Sequence, residues 1–504
     1  MNLIDFIRSA ACAEPKLAAV DSQGIEWTWE RMLTVIVAVR GVFVDLGGKV
    51  TYVVIESDCS VLSGLLSLSV AECGGASIPI PVGFSDRVLR EIKGELNVSF
   101  HVHSLRHTEN GGLQFCIDDQ VFFIDPEPSF GWRSYESVAN PEAPFLVTLS
   151  SGSTGKPKKI VYSQRVKIMR AESAIKEFSV SEADVILNAS PFCHSLGQRL
   201  FFTCLVAGCT TIAVSDFSAH KWLNAVEKYG VTFTISVSSH LVSVHSILTT
   251  APPPSIRALV ASSAGLARGL KEDFSKKELG YAFYEMFGAS EVGTAAVLNL
   301  TEHPLRRDSV GVPIEGTSIA IYRDGQQVLS AGAVGEIGIN SPTLALGYIK
   351  NGQLVSISDA GGYFLTGDLG SIDDGYLYFS GRKSEVISSG GINITPEKIE
   401  SILNDTGLLS GSVVLGAPDS YLGEAVVAFI ILKDRDSLAL QMRRVRSLLR
   451  EVLSSNEMPL KIWVLDSFPV LASGKVDRVA LRREAARRYD PEVSTKLFGL
   501  ADKS

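Results

Sequence analysis

Short apolar and β-branched runs recur along the first part of the chain: YVVIES (52–57), GASIPIP (75–81), VSFHVH (98–103), PFLVTLS (144–150), DVILNAS (184–190), TTIAVSD (210–216) and VTFTIS (231–236). Each has the length and the Val, Ile, Phe and Thr content of a strand. Between several of them apolar positions fall at helical spacing, as in VLREIKGEL (88–96) and AHKWLNAVEKYG (219–230). The alternation predicts an α/β fold of layered sheets covered by helices. After about residue 310 the texture changes to short strands and glycine turns, in AIYRDGQQVLSAGAVGEIGI (320–339) and GYFLTGDLGSIDDGYLYFSG (362–381), which predicts a β-rich subdomain. A boundary is expected near residue 383. It divides a large domain, 1–383, from a small α+β unit, 384–504, built from a helix at about 396–405, strands GSVVLGAP (411–418) and EAVVAFIIL (424–432), a helix at about 438–454, KIWVLD (461–466) and a basic tail helix. The sequence has no internal repeat and no low-complexity segment.

At 504 residues the chain exceeds one ordinary core. A hydrophobic fraction of 46% with 20% charged residues describes a globular protein, and a net charge of −8 provides no basic field for nucleic acid, so acidic small molecules must be met by local sites. The seven cysteines are odd in number and contain no C-x-x-C, which points away from a disulfide framework or zinc site and toward buried thiols in a reducing cytoplasm. The opening MNLIDFIRSAACAEP reads as an amphipathic helix, not a secretion signal, and no segment is apolar enough to span a membrane.

The stretch LSSGSTGKPKKIVYS (149–163) has the glycine and hydroxyl content of a phosphate-binding loop. Its spacing is not that of the common G-x-x-x-x-G-K-[ST] loop, because Gly152 and Gly155 are too close and Pro157 stands where the hydroxyl residue should follow the lysine. The position before a proline also favours extended backbone over helix. Taken alone the stretch could be an ordinary surface turn.

Four further motifs in order remove that ambiguity: YEMFGASEVGT (284–294), GYFLTGDLG (362–370), GRKSEVISSGGINITPEKIE (381–400) and FPVLASGKVDR (468–478). Together with SSGSTGKPKK they resemble the acyl-adenylate-forming superfamily, which includes acyl- and aryl-CoA ligases, peptide-synthetase adenylation domains and firefly luciferase. Weaker matches in LAAVDSQGIEWTWERM (17–32), VGVPIEG (310–316) and GEIGINSPTLALGY (335–348) extend the resemblance over nearly the whole chain.

The resemblance implies that a carboxylate attacks the α-phosphate of ATP and expels pyrophosphate, a reaction between anions that needs charge neutralisation. On this basis Ser150, Ser151, Gly152, Ser153, Thr154, Gly155 and Lys158 hold the β and γ phosphates, with Thr154 and Lys158 as direct contacts. Glu291, with Thr154, holds Mg2+, a hard cation suited to one carboxylate, phosphate oxygens and water. Phe287, in place of the usual tyrosine, stacks on adenine beside Gly288 and Ser290; Asp368 accepts the ribose hydroxyls; Arg382 binds ribose or phosphate. Lys475 is the catalytic lysine, carried on a mobile C-terminal domain.

His194 matches the histidine that gates the acyl pocket in acyl- and aryl-CoA ligases, and the segment 190–202 lacks the aspartate with which amino-acid-activating relatives bind an α-ammonium. The expected pocket is formed by His194, Gln198, Arg199, Ser262, Ser263, Ala264, Gly265, Met286, Gly288 and Ala289, and fits a hydrophobic carboxylic acid. Arg199 meets a polar group on the acid or pairs with a protein carboxylate. The acceptor implied first is CoA, with a carrier-protein thiol or an amine as alternatives; loss of turnover, leaving a binding protein, is the reading from a different class. Three positions depart from the family pattern: the hinge is Ser384 rather than Asp or Lys, Ser388 replaces a frequent lysine, and Lys159 replaces a glycine.

Overall fold

The computed structural model describes residues 1–13, 16–108, 112–125, 135–150, 157–262, 266, 268–328, 330–434, 437–470 and 476–492. Among these, two nine-stranded sheets and one five-stranded sheet precede residue 383, and a further five-stranded sheet follows it. The mixed α/β architecture expected from the alternation is present. In the first large sheet the strands Val185–Asn188, Thr210–Ala213, Phe233–Val237, Ala258–Ser262 and Ala282–Ala289 run parallel. Phe233–Val237 and Ala258–Ser262 are buried at every position, as strands covered on both faces must be. The second large sheet places Tyr52–Glu56 parallel to Ala76–Ile80 and Val98–His107, and carries the antiparallel pair Pro144–Ser150 and Lys158–Ser163.

One core joins the two sheets through helices. It runs from Val53 and Ile55 of the second sheet, through Leu62, Leu65 and Leu66 of helix Ser60–Ala71, to Phe201 and Phe202 of helix Ser195–Ala207 and to Ile186, Phe233 and Ile235 of the first sheet. All twelve residues of helix Ser60–Ala71 are buried, and its Ser67 and Ser69 hydroxyls donate back to the carbonyls of Ser63 and Leu65, which satisfies those two donors. Phe192, Phe201 and Phe202 pack edge to face with one another, and Phe202 packs likewise on Phe145, which fixes the Ser195–Ala207 helix and the turn before it. Each such pair contributes about 0.5–1.5 kcal/mol beyond the area it buries.

The β-rich segment is an antiparallel sheet in which Ser318–Arg323, Gly335–Asn340, Phe364–Asp373 and Tyr376–Arg382 are successive neighbours. After it, the hairpin Ile387–Ser389/Ile392–Ile394 and the long pair Leu409–Asp419/Gly423–Leu432 form the last sheet, joined in parallel by Lys461–Val464. Helices Pro396–Asp405, Leu438–Val452 and Arg478–Arg488 cover it. The two apolar clusters of this segment contain only residues from 387 onward, whereas the other four end at or before 379.

One expectation needs correction. Only Cys193, Cys204 and Cys209 are buried; Cys12 is exposed on the polar side of the first helix, and Cys59, Cys73 and Cys116 are half-buried. All seven are free thiols. Among the described residues no helix is long and apolar enough to cross a membrane.

Candidate active site

The phosphate-loop candidate closes a hairpin. Ser150 and Lys158 face each other at the ends of the strands Pro144–Ser150 and Lys158–Ser163. Ser151, Gly152, Ser153, Thr154 and Gly155 lie between them, outside the described residues. A strand follows the loop where the common P-loop has a helix, in keeping with the spacing argument. Lys158 is exposed, with its ammonium 5.5 Å from the centre of the Tyr348 ring. Lys159 points away from it and pairs with Glu95, which accounts for a lysine in place of glycine.

The second motif is the turn joining the antiparallel strands Ala282–Ala289 and Gly293–Asn299. Gly288 sits where a Cβ would lie 1.9 Å from the Gly293 carbonyl oxygen, so the turn closes only with glycine there. The turn carries Ser290 and Glu291 and is held from below. The buried Arg170 donates to the carbonyls of Ser290, Glu291 and Thr343, and the Tyr162 hydroxyl donates to the Ser290 carbonyl. The Glu291 carboxylate accepts one hydrogen bond, 2.6 Å long, from the Tyr348 hydroxyl. Among the described residues no group of three or more His, Cys, Asp or Glu could hold a metal ion, so a cation at Glu291 would share its coordination with phosphate and water, as magnesium does.

Asp368 and Arg382 are cross-strand partners in the β-rich sheet. Arg382 Nε pairs with Asp368 Oδ1 at 3.0 Å; the carboxylate is buried and the guanidinium largely exposed. Burial raises the Asp368 pKa, with Arg382 opposing and Glu291 adding to the rise. A buried carboxylate faced by one largely exposed guanidinium keeps acceptor capacity for a pair of ribose hydroxyls. Phe287 packs against Phe379 of the Arg382 strand with ring centres 5.9 Å apart. Lys158, Phe287, Glu291, Asp368 and Arg382 are thus drawn into one region from four separate stretches of sequence.

His194 is the residue before helix Ser195–Ala207, at the end of the turn 190–194. That turn folds over Gly197, where a Cβ would lie 2.3 Å from the Pro191 carbonyl oxygen. Gln198 is fully buried, and its amide is engaged with Thr148, Lys167 and the Phe192 carbonyl. Arg199 donates to Met286 Sδ and Thr294 Oγ1. Met286 is buried, Ala289 half-buried and Gly288 exposed, while Ser262 ends a buried strand. Ser263, Ala264 and Gly265 lie outside the described residues.

Ser384 is exposed at the centre of the single 3-10 turn Lys383–Glu385. The next residue, Glu385, pairs at 2.9 Å with Arg478, which also contacts Glu400 at 2.9 Å and donates to the Val414 carbonyl. Lys475 lies outside the described residues, but the flanks of its loop are joined by the bridge Val470–Val476 and by the Asp477 amide donating to the Pro469 carbonyl. Ser388 donates its amide to Glu424.

Sequence reasoning missed the residues that hold this site together: Tyr162, Lys167, Arg170, Thr294, Tyr348 and Arg478. Tyr348 and Arg478 each end a quoted motif, and a polar residue closing a motif was the available signal. Lys167 and Arg170 sit in a helix whose exposed-looking charge pattern gave none.

The model of the AMP-binding enzyme family matches residues 7–349, and that of the AMP-binding enzyme C-terminal domain matches residues 398–475. The chain is 29% identical to indoleacetate–CoA ligase of Aromatoleum aromaticum over 391 residues, covering 74% of this chain and 76% of that one. It is 30% identical to sulfoacetate–CoA ligase of Cupriavidus necator over 353 residues, 68% of each. The fold is similar to that of ATP-bound MatB from Rhodopseudomonas palustris, with a TM-score of 0.80 at 20% identity over 97% of this chain and all of that one.

Proposed function

The chain belongs to the AMP-binding enzyme family, and on that premise we propose that it joins a hydrophobic carboxylic acid to a thiol, CoA first among them, through an acyl adenylate. In the first half-reaction a carboxylate oxygen attacks the α-phosphorus of ATP and the bond to pyrophosphate breaks. In the second, a thiol attacks the acyl carbon and AMP leaves. The observation that carries the reading is the convergence of Glu291, Asp368, Arg382, Phe287 and Lys158, with the buried Asp368 carboxylate beside the largely exposed Arg382 guanidinium.

The parts assigned to this chain are those the resemblance implies, and that arrangement supports several of them. Phe287 stacks on the adenine, Asp368 accepts the ribose hydroxyls, and Arg382, largely exposed beside it, binds ribose or phosphate. Lys158 and the loop 150–155 take the outer phosphates. Glu291, oriented by Tyr348, holds Mg2+ with Thr154; when bound, the ion neutralises phosphate charge. Lys475, on a C-terminal domain beginning at residue 384, steadies the attacking carboxylate and α-phosphate, and His194 gates the path of the thiol. Rotation of that domain about Ser384 brings first Lys475 and then the 387–394 hairpin to the site.

CoA as acceptor is supported by the CoA ligases among the relatives, the indoleacetate and sulfoacetate enzymes included. The test supplies ATP, magnesium and a panel of acids with CoA, pantetheine or an amino-acid mixture, and identifies products by mass. An acyl thioester with AMP and pyrophosphate is expected, with pyrophosphate release near background when free amino acids are the sole acid. Amide products alone would assign an amine acceptor instead, and a single amino acid outperforming every simple acid would overturn the substrate class.

A further inference from the structure

Three cations lie buried together beside the acyl pocket: Lys167, Arg170 and Arg199, with 3, 5 and 7% of their surface accessible. Their charges act on one another, Arg170 and Arg199 on Lys167 and Arg170 on Arg199. Two of them are accounted for. Arg170 spends its guanidinium on the carbonyls of Ser290, Glu291 and Thr343. The Lys167 ammonium meets Gln198 Oε1 at 2.7 Å and lies 3.5 Å from the centre of the Tyr162 ring, and burial followed by the two arginines drives its pKa well down.

Arg199 is different. Its Nη1 donates to Met286 Sδ at 3.3 Å and to Thr294 Oγ1 at 3.1 Å, both neutral and the first a weak acceptor. Its Nε and Nη2 make no hydrogen bond among the described residues, and no carboxylate there lies within ion-pair distance. Burial, then Arg170, pushes its pKa down to about 9, which still leaves it charged at neutral pH. A guanidinium held this way is a planar fork of donors without an anion, and such forks match carboxylate and sulfonate oxygens two at a time. Its position is also specific. Arg199 lies on the helix that follows His194, and its two contacts are Met286, next to Phe287, and Thr294, on the strand following Glu291.

We propose that Arg199 recognises a second anionic group on the acid, so that the substrate is a dianion with an apolar body, a dicarboxylate or a carboxylate bearing a sulfonate. The inference rests on the acid-activating reading above and adds the substrate class to it. One carboxylate is adenylated; the other group pairs with Arg199 and supplies the charge that the buried cations lack.

The test compares straight-chain mono-acids with α,ω-dicarboxylates of the same length, and benzoate with the isomeric benzenedicarboxylates, in ATP–pyrophosphate exchange. Wild type, Arg199→Leu and Arg199→Lys are assayed, each confirmed as folded by circular dichroism. The best dianion is expected to exceed its matched mono-acid by about 10- to 100-fold in kcat/KM in the wild type. That ratio should collapse toward one in Arg199→Leu and be partly retained in Arg199→Lys. Calorimetric binding of N-acylsulfamoyl adenosines made from a matched mono-acid and dicarboxylate gives the same comparison without turnover. An unchanged ratio in Arg199→Leu, or a wild type that prefers mono-acids, overturns the proposal and leaves adenylation standing. Failure of both analogues to bind, with no exchange for any acid, overturns the adenylation reading and the proposal with it.

Discussion

Replacing Arg478 by methionine removes the cation shared by Glu385, beside the proposed hinge, and Glu400, on helix Pro396–Asp405, and it breaks the bond to the Val414 carbonyl. All three contacts are 2.9 Å long. Glu397 adds a third carboxylate, with Oε2 buried and without a partner. Burial opposes the arginine's charge, but Glu400 and Glu385 raise its pKa regardless, so the cluster favours the cation. Removing one partner of a fully buried pair costs about 3–5 kcal/mol. The side chains here keep between 15 and 24% of their accessibility, so water recovers part of that and about 2–4 kcal/mol is expected. Hydrogen exchange read by mass spectrometry on the strands Leu409–Asp419 and Gly423–Leu432 should accelerate by about 30- to 700-fold. Burial holds the Glu400 pKa above its ordinary value even against Arg478, and without that cation Glu400 binds its proton still more tightly in the folded chain than in the unfolded one. The defect is therefore full near pH 8 and shrinks as pH falls toward about 5. The double variant Arg478→Met/Glu400→Met should be less unstable than Arg478→Met alone, since it no longer buries that charge. Unchanged exchange, or equal acceleration at both pH values, would refute the reasoning.

Three further outcomes are expected. Lys475→Ala should lower adenylation by about 10²- to 10³-fold while ATP binding by calorimetry and transfer from a supplied acyl adenylate persist; exchange within a few-fold of wild type would remove its assignment. Ser384→Pro fixes φ near about −65° and restricts Lys383, so transfer should fall further than adenylation, with acyl adenylate accumulating in mass spectra; equal losses in a folded variant would mean Ser384 is no hinge. Glu397 is raised by burial to about 7, above its unfolded value, so its ionisation costs stability as pH rises from about 4.5 to 7 and costs nothing below. Glu397→Gln should accordingly melt above wild type near pH 8, with the gap closing by about pH 5, and a pH-independent gap would contradict this.

The elements legible in the sequence were those with strong local signals. The run YVVIES became Tyr52–Glu56, AHKWLNAVEKYG became Ala219–Tyr229, and the C-terminal order of helix, two strands, helix and strand was recovered in full. Helix Ser60–Ala71 was harder, because its serines imitate a polar face while every position is buried, with the Ser67 and Ser69 hydroxyls turned back on the helix carbonyls. Glu291 and Asp368 could be found because each lies in a motif whose backbone needs glycine nearby. Their supports could not. Arg170 reaches Ser290, 120 residues away, and Tyr348 reaches Glu291, 57 residues away, and nothing local in either sequence segment marks such a bond. Whether Arg199 pairs with a protein carboxylate was likewise open from sequence, since ion pairing depends on which strands lie opposite the helix, here those of Met286 and Thr294.

The central claim is that this chain activates an acid by transferring AMP to it. Acid-dependent exchange of labelled pyrophosphate into ATP, measured with magnesium and without any acceptor, tests it most directly. The account predicts exchange that requires the acid, yields acyl adenylate detectable by mass, and is lost in Lys475→Ala and Asp368→Ala. Exchange independent of every acid supplied, or acid-dependent formation of ADP and phosphate in place of AMP and pyrophosphate, would contradict it.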